Sequence, residues 1–307
     1  MPRRRSMAVA TTLLLAALAI AGCGLGPGAD VGAVELTVTR DFGARPLIDS
    51  DVGDVKESAT VMRVLEAEAK ITTRYGGGFV QSIAGLEADR HDGRSYDWFF
   101  YVNGVESPIG AADFSLRGGE RIWWDYRDWT AVDRVPAVVG SWPAPMRGGY
   151  EGHSHPVTLE CEGGGEACAL AREALEAADV QIAGGSPRGA IRVLVGPWAR
   201  VRTDPVAALI EDGPAASGVF AEFAASPGGY RLRGLDPAAR PAREFGPDAG
   251  LVAATRRYEA PPVWIVTGAT NAAVRAAAGL LDADKLRDHY AVATEGGDEA
   301  PLPLPSR

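Results

Sequence analysis

Apolar residues alternate with polar ones at Val34, Leu36 and Val38, the two-residue period of a half-buried strand. The alternation then lapses into a polar, acidic excursion from Phe42 to Val55. In "ESATVMRVLEAEAK" the period lengthens: Val61, Val64, Leu65 and Ala69 recur at helical spacing, with Ser58 or Thr60 placed to cap the helix. Short strands are predicted around Phe79 to Ile83, Trp98 to Val102 and Arg121 to Tyr126. Asn103-Gly104 lies between large residues and predicts a two-residue hairpin turn, because both turn positions need positive φ. The N-terminal half therefore reads as one helix on a small, mostly antiparallel sheet.

The C-terminal half alternates elements instead. Strand "VTLEC", helix "EACALAREALEAADV", strand "IRVLVG" and helix "DPVAALIEDG" precede strands "SGVFAEFA" and "YRLRGL", and a strand-helix-strand unit closes the series. The expected fold class is α+β: a small β-rich domain with one helix over residues 33–130, then an α/β domain over 157–293. Between them, 131–156 is rich in proline and glycine and reads as a linker, and 294–307 reads as a disordered tail.

Residues 1–22 have the layout of a signal peptide, with Arg3, Arg4 and Arg5 before an apolar run from Met7 to Ala21. Ala21 and Gly22 directly before Cys23 resemble a bacterial lipobox, so Cys23 is expected to be the lipidated first mature residue, followed by a spacer to residue 32. The expected location is extracytoplasmic, on a membrane through the lipid anchor. After Cys23 no run approaches the ~18 apolar residues of a spanning helix. The formal charge of −9 includes the three leader arginines, so the mature chain is more acidic still, which disfavours nucleic acid as a partner.

Cys161 and Cys168 in "CEGGGEAC" suggest a disulfide in an oxidising exterior, with two free thiols or a metal pair as alternatives. Zinc needs two more ligands and none lie nearby, and His153 and His155 sit without further ligands, so no metal site is assigned. Thr270 or Asn271 is expected to cap a helix. Ser141 and Ser217 lack a His/Asp setting and His91 and His289 stand alone, so no catalytic constellation assembles and no cofactor or enzyme activity is expected.

From Ala33 to Trp129 the chain resembles the transcobalamin-like C-terminal domain family. The resemblance rests on Thr60-Val61, Gly78, Phe79, Ser82-Ile83-Ala84-Gly85-Leu86 and Trp98, then Val102-Asn103-Gly104, Gly110-Ala111, Asp113, Leu116, Gly119, Ile122, Trp124 and Tyr126. It implies a β-rich clamp that closes over a small ligand, in animal carriers vitamin B12. Ala84, Phe114 and Glu120 depart from the family's usual Asn, Tyr and Asp. The family's animal members add an α/α barrel that holds the other ligand face, and this chain has none, so a separate barrel protein or an uptake transporter is an implied partner.

Strand alternation puts Ile122, Trp124 and Tyr126 on one face and Arg121, Trp123, Asp125 and Arg127 on the other. Trp124 reads as core. Trp123, among charged neighbours, reads either as core or, with Tyr75, Phe79 and Trp129, as an aromatic rim for a ligand. The expected function is a lipid-anchored lipoprotein that binds a small ligand, such as the corrinoid cobalamin, for uptake. The alternative is surface adhesion or complex assembly through the same rim.

Overall fold

The computed structural model describes residues 28–163 and 165–306; the leader and Cys23 lie outside them. Strands outweigh helices in a mixed α+β architecture. β1 (Asp30–Arg40) turns into β2 (Arg45–Lys56), α1 (Val61–Glu68) follows, and β3 (Ile71–Arg74), β4 (Phe79–Ile83) and β5 (Leu86–Glu87) form a small antiparallel sheet. β6 (Asp89–His91), β7 (Arg94–Val102), β8 (Val105–Glu106) and β9 (Arg121–Asp128) complete the first unit. Its main sheet has the order β2-β1-β9-β7-β6, with β1 and β9 parallel.

The excursion expected at Phe42 to Val55 is largely β2. Its side chains are mostly exposed or half-buried, so an edge strand with water on both faces carries no apolar alternation to reveal it. Thr60 caps α1, accepting from the Arg63 amide at 3.3 Å, and the helix buries Val61, Met62, Val64 and Leu65. These pack on Leu36, Val38, Trp98, Val102, Ile122, Trp124 and Tyr126, all from one face of the sheet.

The second unit contains α2 (Ala144–Gly148), β10 (Val157–Cys161), α3 (Gly165–Ala177), β11 (Ile191–Pro197), α4 (Trp198–Val201) and α5 (Pro214–Ser217). Then come β12 (Ala221–Ser226), β13 (Gly229–Leu235), β14 (Pro241–Glu244), β15 (Gly250–Thr255), β16 (Val263–Gly268), α6 (Asn271–Ala278), α7 (Ala283–Leu286), β17 (Ala291–Glu295) and β18 (Asp298–Leu302). The main sheet runs β10-β11-β16-β15-β17-β18; its first three strands are parallel and the others antiparallel. β15 and β16 are buried along their whole length, so their side chains alternate between two cores. Val252, Ala254, Trp264 and Val266 join the core with α3 and α6, while Leu251, Ala253, Val263 and Ile265 join the opposite one. The helix predicted over "DPVAALIEDG" shrinks to a single 3₁₀ turn at Ala207–Ile210.

Two sequence expectations need correction. Residues 131–156 are not a free linker: Val132, Val135, Val138, Val139, Trp142 and Tyr150 are buried, and the Val139 amide donates to the Tyr290 carbonyl at 3.2 Å. Glycine here serves close approach, since a Cβ on Gly140 would lie 2.6 Å from the His289 nitrogen. Nor is 294–307 a loose tail. Gly296-Gly297, both at positive φ, turn β17 into β18, Leu302 is buried, and the Leu304 amide donates to the Leu235 carbonyl at 2.8 Å.

Candidate functional site

Trp123 is 0 % exposed, which corrects its placement on a surface rim. The second face of β9 lies against the C-terminal unit, and the Trp123 ring packs 5.5 Å from Tyr101 and 5.3 Å from Tyr290. Its indole N–H donates to Thr39 Oγ1 at 2.8 Å. The charged neighbours that suggested water meet protein groups instead. Arg121 donates to Asp288 at 2.7 Å and to the Gly140 carbonyl, while Arg127 donates to the carbonyls of Val132 at 2.7 Å and Asp133 at 3.0 Å.

Asp125, buried between these arginines, accepts from Thr39 Oγ1 at 2.6 Å, from the amides of Phe42 and Gly43, and from Tyr290 Oη at 3.0 Å. Burial pushes its carboxyl up to about 6 against those hydrogen bonds, which favour the ionised form. The Tyr290 phenol is likewise held well above its ordinary range by burial and by Asp125. This face is a sealed seam between units.

Trp129 is partly buried, and its amide donates to the Ser95 carbonyl at 2.9 Å, near the start of β7. Tyr75 and Phe79 do come together at the surface. Their rings meet edge to face at 6.2 Å, with Tyr75 85 % and Phe79 40 % exposed. The chain turns between β3 and β4 with positive φ at Tyr75, Gly76 and Gly77, and a non-glycine residue in that region is strained. The neighbouring loop brings Gly110 beside the Gly78 carbonyl and carries half-exposed Ile109, which sequence reasoning missed. Its one signal is an apolar residue inside the turn "SPIG". An apolar tip of three side chains is thus displayed to solvent.

Asn103 and Gly104 have φ of 50° and 74° and link β7 to β8, with Val102 paired to Val105. The Asn103 side chain is fully buried; it donates to the Gly149 carbonyl at 2.8 Å and accepts from the Arg121 amide at 2.8 Å, so the turn also ties 149 to β9. Cys161 and Cys168 are joined by a disulfide between the end of β10 and α3. His91, which seemed isolated, stacks on Tyr96 at 4.7 Å, and Tyr96 stacks on Tyr126, lining an open cleft with Asp41, Glu87 and Asp89. His155 stacks on Tyr150 at 4.2 Å. Thr270 caps α6, accepting from the Ala273 amide. Among the described residues no cluster of three or more His, Cys, Asp or Glu side chains could hold a metal ion, and no helix is long and apolar enough to cross a membrane.

Residues 58–128 match the model of a domain of unknown function (DUF4430), a family associated with transcobalamin-like domains. The match runs from the residues before α1 through β9 and omits β1 and β2. A comparison with curated proteins gives no match.

Proposed function

We propose that the chain is an extracytoplasmic lipoprotein, anchored through Cys23, whose N-terminal unit is a clamp half that captures a small ligand at the Tyr75–Phe79 tip. The carrying observation is the tip itself: two aromatic rings held in water on a loop with positive φ at three successive residues. Such a display costs stability and contributes nothing to a core, so its value lies in what covers it. The rings offer a flat apolar edge for one side of a planar ligand, with a corrinoid as the first candidate from the family resemblance. The ligand's other side is left to a partner, either a separate α/α-barrel protein or an uptake transporter.

The test is calorimetric titration with cobalamin of the wild type and of a Tyr75→Ala/Phe79→Ala variant. Both side chains are exposed, so the variant is expected to melt with the wild type while binding at least about tenfold more weakly, a change of ~1.4 kcal/mol. A wild type that takes up no cobalamin removes the corrinoid from the proposal. One observation favours the second reading, adhesion or complex assembly: neither ring lines any of five clefts of about 250 to 560 Å³ found on the surface. A protruding edge suits a protein surface, and a variant that loses a co-purifying protein yet still binds cobalamin supports that reading.

A further inference from the structure

Ion pairs cross the seam between the two units. Arg121 of β9 meets Asp288 at 2.7 Å, and Arg287, the residue after α7, reaches Asp49 of β2 at 2.8 Å and Glu35 of β1 at 3.8 Å. Glu35 also lies 3.7 Å from Arg121. Both arginines are therefore engaged by carboxylates from the protein itself, and the pairs tie one unit to the other.

Beside these pairs lies a cleft of about 560 Å³ walled by both units. The first unit contributes Glu35 and the Gly118-Gly119 turn, and the second contributes residues of α2 and α7. Small ligands favour clefts where two units meet, because groups from separate elements converge there. Pro143, Ala144 and Ala283 supply an apolar wall, and all three keep surface that a ligand can touch.

Two further charges border the same cleft. Arg147, in the last turn of α2, and Asp284, in the first turn of α7, are both exposed, and neither joins an ion pair among the described residues. Unpaired charges are common on the surface of this chain, so neither residue is informative alone. What distinguishes them is that one of each sign opens on one space without meeting the other. An ion of a single sign would be attracted by one and repelled by the other, whereas a molecule carrying both signs complements both.

We infer that this cleft binds a small zwitterion of the amino-acid class, its carboxylate on Arg147, its ammonium on Asp284 and its apolar side chain against Pro143, Ala144 and Ala283. A guanidinium can meet a carboxylate with two parallel N–H groups, and the Asp284 oxygens can accept from an ammonium. Because the crossing ion pairs already join the two walls, the cleft does not depend on the ligand to form it, which lowers the cost of binding. The site is separate from the aromatic tip and does not depend on the role proposed for it.

Calorimetric titration of the full mature chain with L-leucine tests the assignment. Isopentylamine and isocaproate are the controls, since each keeps the leucine side chain and loses one of its two charges. Leucine is expected to bind at one site, at least tenfold more tightly than either control. Arg147→Gln and Asp284→Asn each remove one charge from an exposed side chain, so both should melt with the wild type and weaken leucine at least tenfold. The Tyr75→Ala/Phe79→Ala variant should bind leucine like the wild type, which separates this site from the tip. No leucine binding by the wild type, a control that binds as tightly as leucine, unchanged binding by either charge variant, or loss of binding in the tip variant each overturns the inference.

Discussion

Replacing Trp123 by alanine separates a buried seam from a surface rim. The indole is fully buried, packed between Tyr101 and Tyr290, and donates to Thr39. Truncating a buried tryptophan to alanine costs ~3–5 kcal/mol, from lost transfer energy and the cavity left behind. Thr39 keeps its bond to Asp125, so the lost indole donor adds little. A fold of this size has an unfolding entropy near ~0.6 kcal/mol/K, so the midpoint should fall by ~5–8 °C. Trp123→Phe retains most of the ring and leaves a smaller cavity, at ~1–2 kcal/mol. Calorimetric melts of the wild type and both variants provide the measurement. If Trp123→Ala melts within ~1 °C of the wild type, the side chain does not support the seam and the reasoning fails.

Asp125 makes stability depend on pH. Its folded carboxyl titrates at about 6 against an ordinary 3.8, so the folded chain holds the proton more tightly and stability falls as pH rises across that window. The fall is worth about 3 kcal/mol in all, and urea midpoints should show it in the wild type but not in Asp125→Asn; equal slopes refute it. Gly43→Ala should cost more than ~3 kcal/mol, because the new Cβ would sit 1.7 Å from the Asp288 carbonyl oxygen at a φ of 83°. Gly76→Ala, with φ of 72° and nothing within 4 Å, should cost only ~1–2 kcal/mol, and equal denaturation midpoints for the two would contradict the close approach. Cys161→Ser should lose ~2–3 kcal/mol by loop entropy; labelling of Cys161 and Cys168 by iodoacetamide in unfolded, unreduced protein would rule the bridge out.

Where one residue's neighbours in sequence are also its neighbours in space, the sequence was informative. α1, α3 and α6 follow apolar spacing, and the Asn103-Gly104 turn follows from its backbone demands alone. β2 was hidden because an edge strand in water needs no apolar pattern. Trp123 was ambiguous for a deeper reason: alternation tells which side chains share a face, but not what lies against it. The groups that cover it, Tyr290 and the 288–289 backbone, come from the far end of the chain. Proline and glycine in 131–156 had two meanings, freedom and close packing, and only tertiary contact distinguishes them. The exposure of Tyr75 and Phe79 was legible because three glycines between two aromatic residues offer no neighbouring side chains to bury the rings.

The seam also imposes an order in time. Arg121 meets Asp288 and Tyr101 meets Tyr290, contacts spanning 167 and 189 positions. The α1 core can form once β9 is available, whereas the opposite face of the same strand must wait for nearly the whole chain. Contacts of such sequence separation are slow, because a long loop must close before any of them is gained. During that interval the unit presents Trp123, Tyr101 and a row of polar groups without their partners, the kind of half-finished surface on which chains associate wrongly. Chains shortened before residue 287 should therefore stall with a formed first core and an open face, and accumulate as aggregate rather than as a smaller working domain.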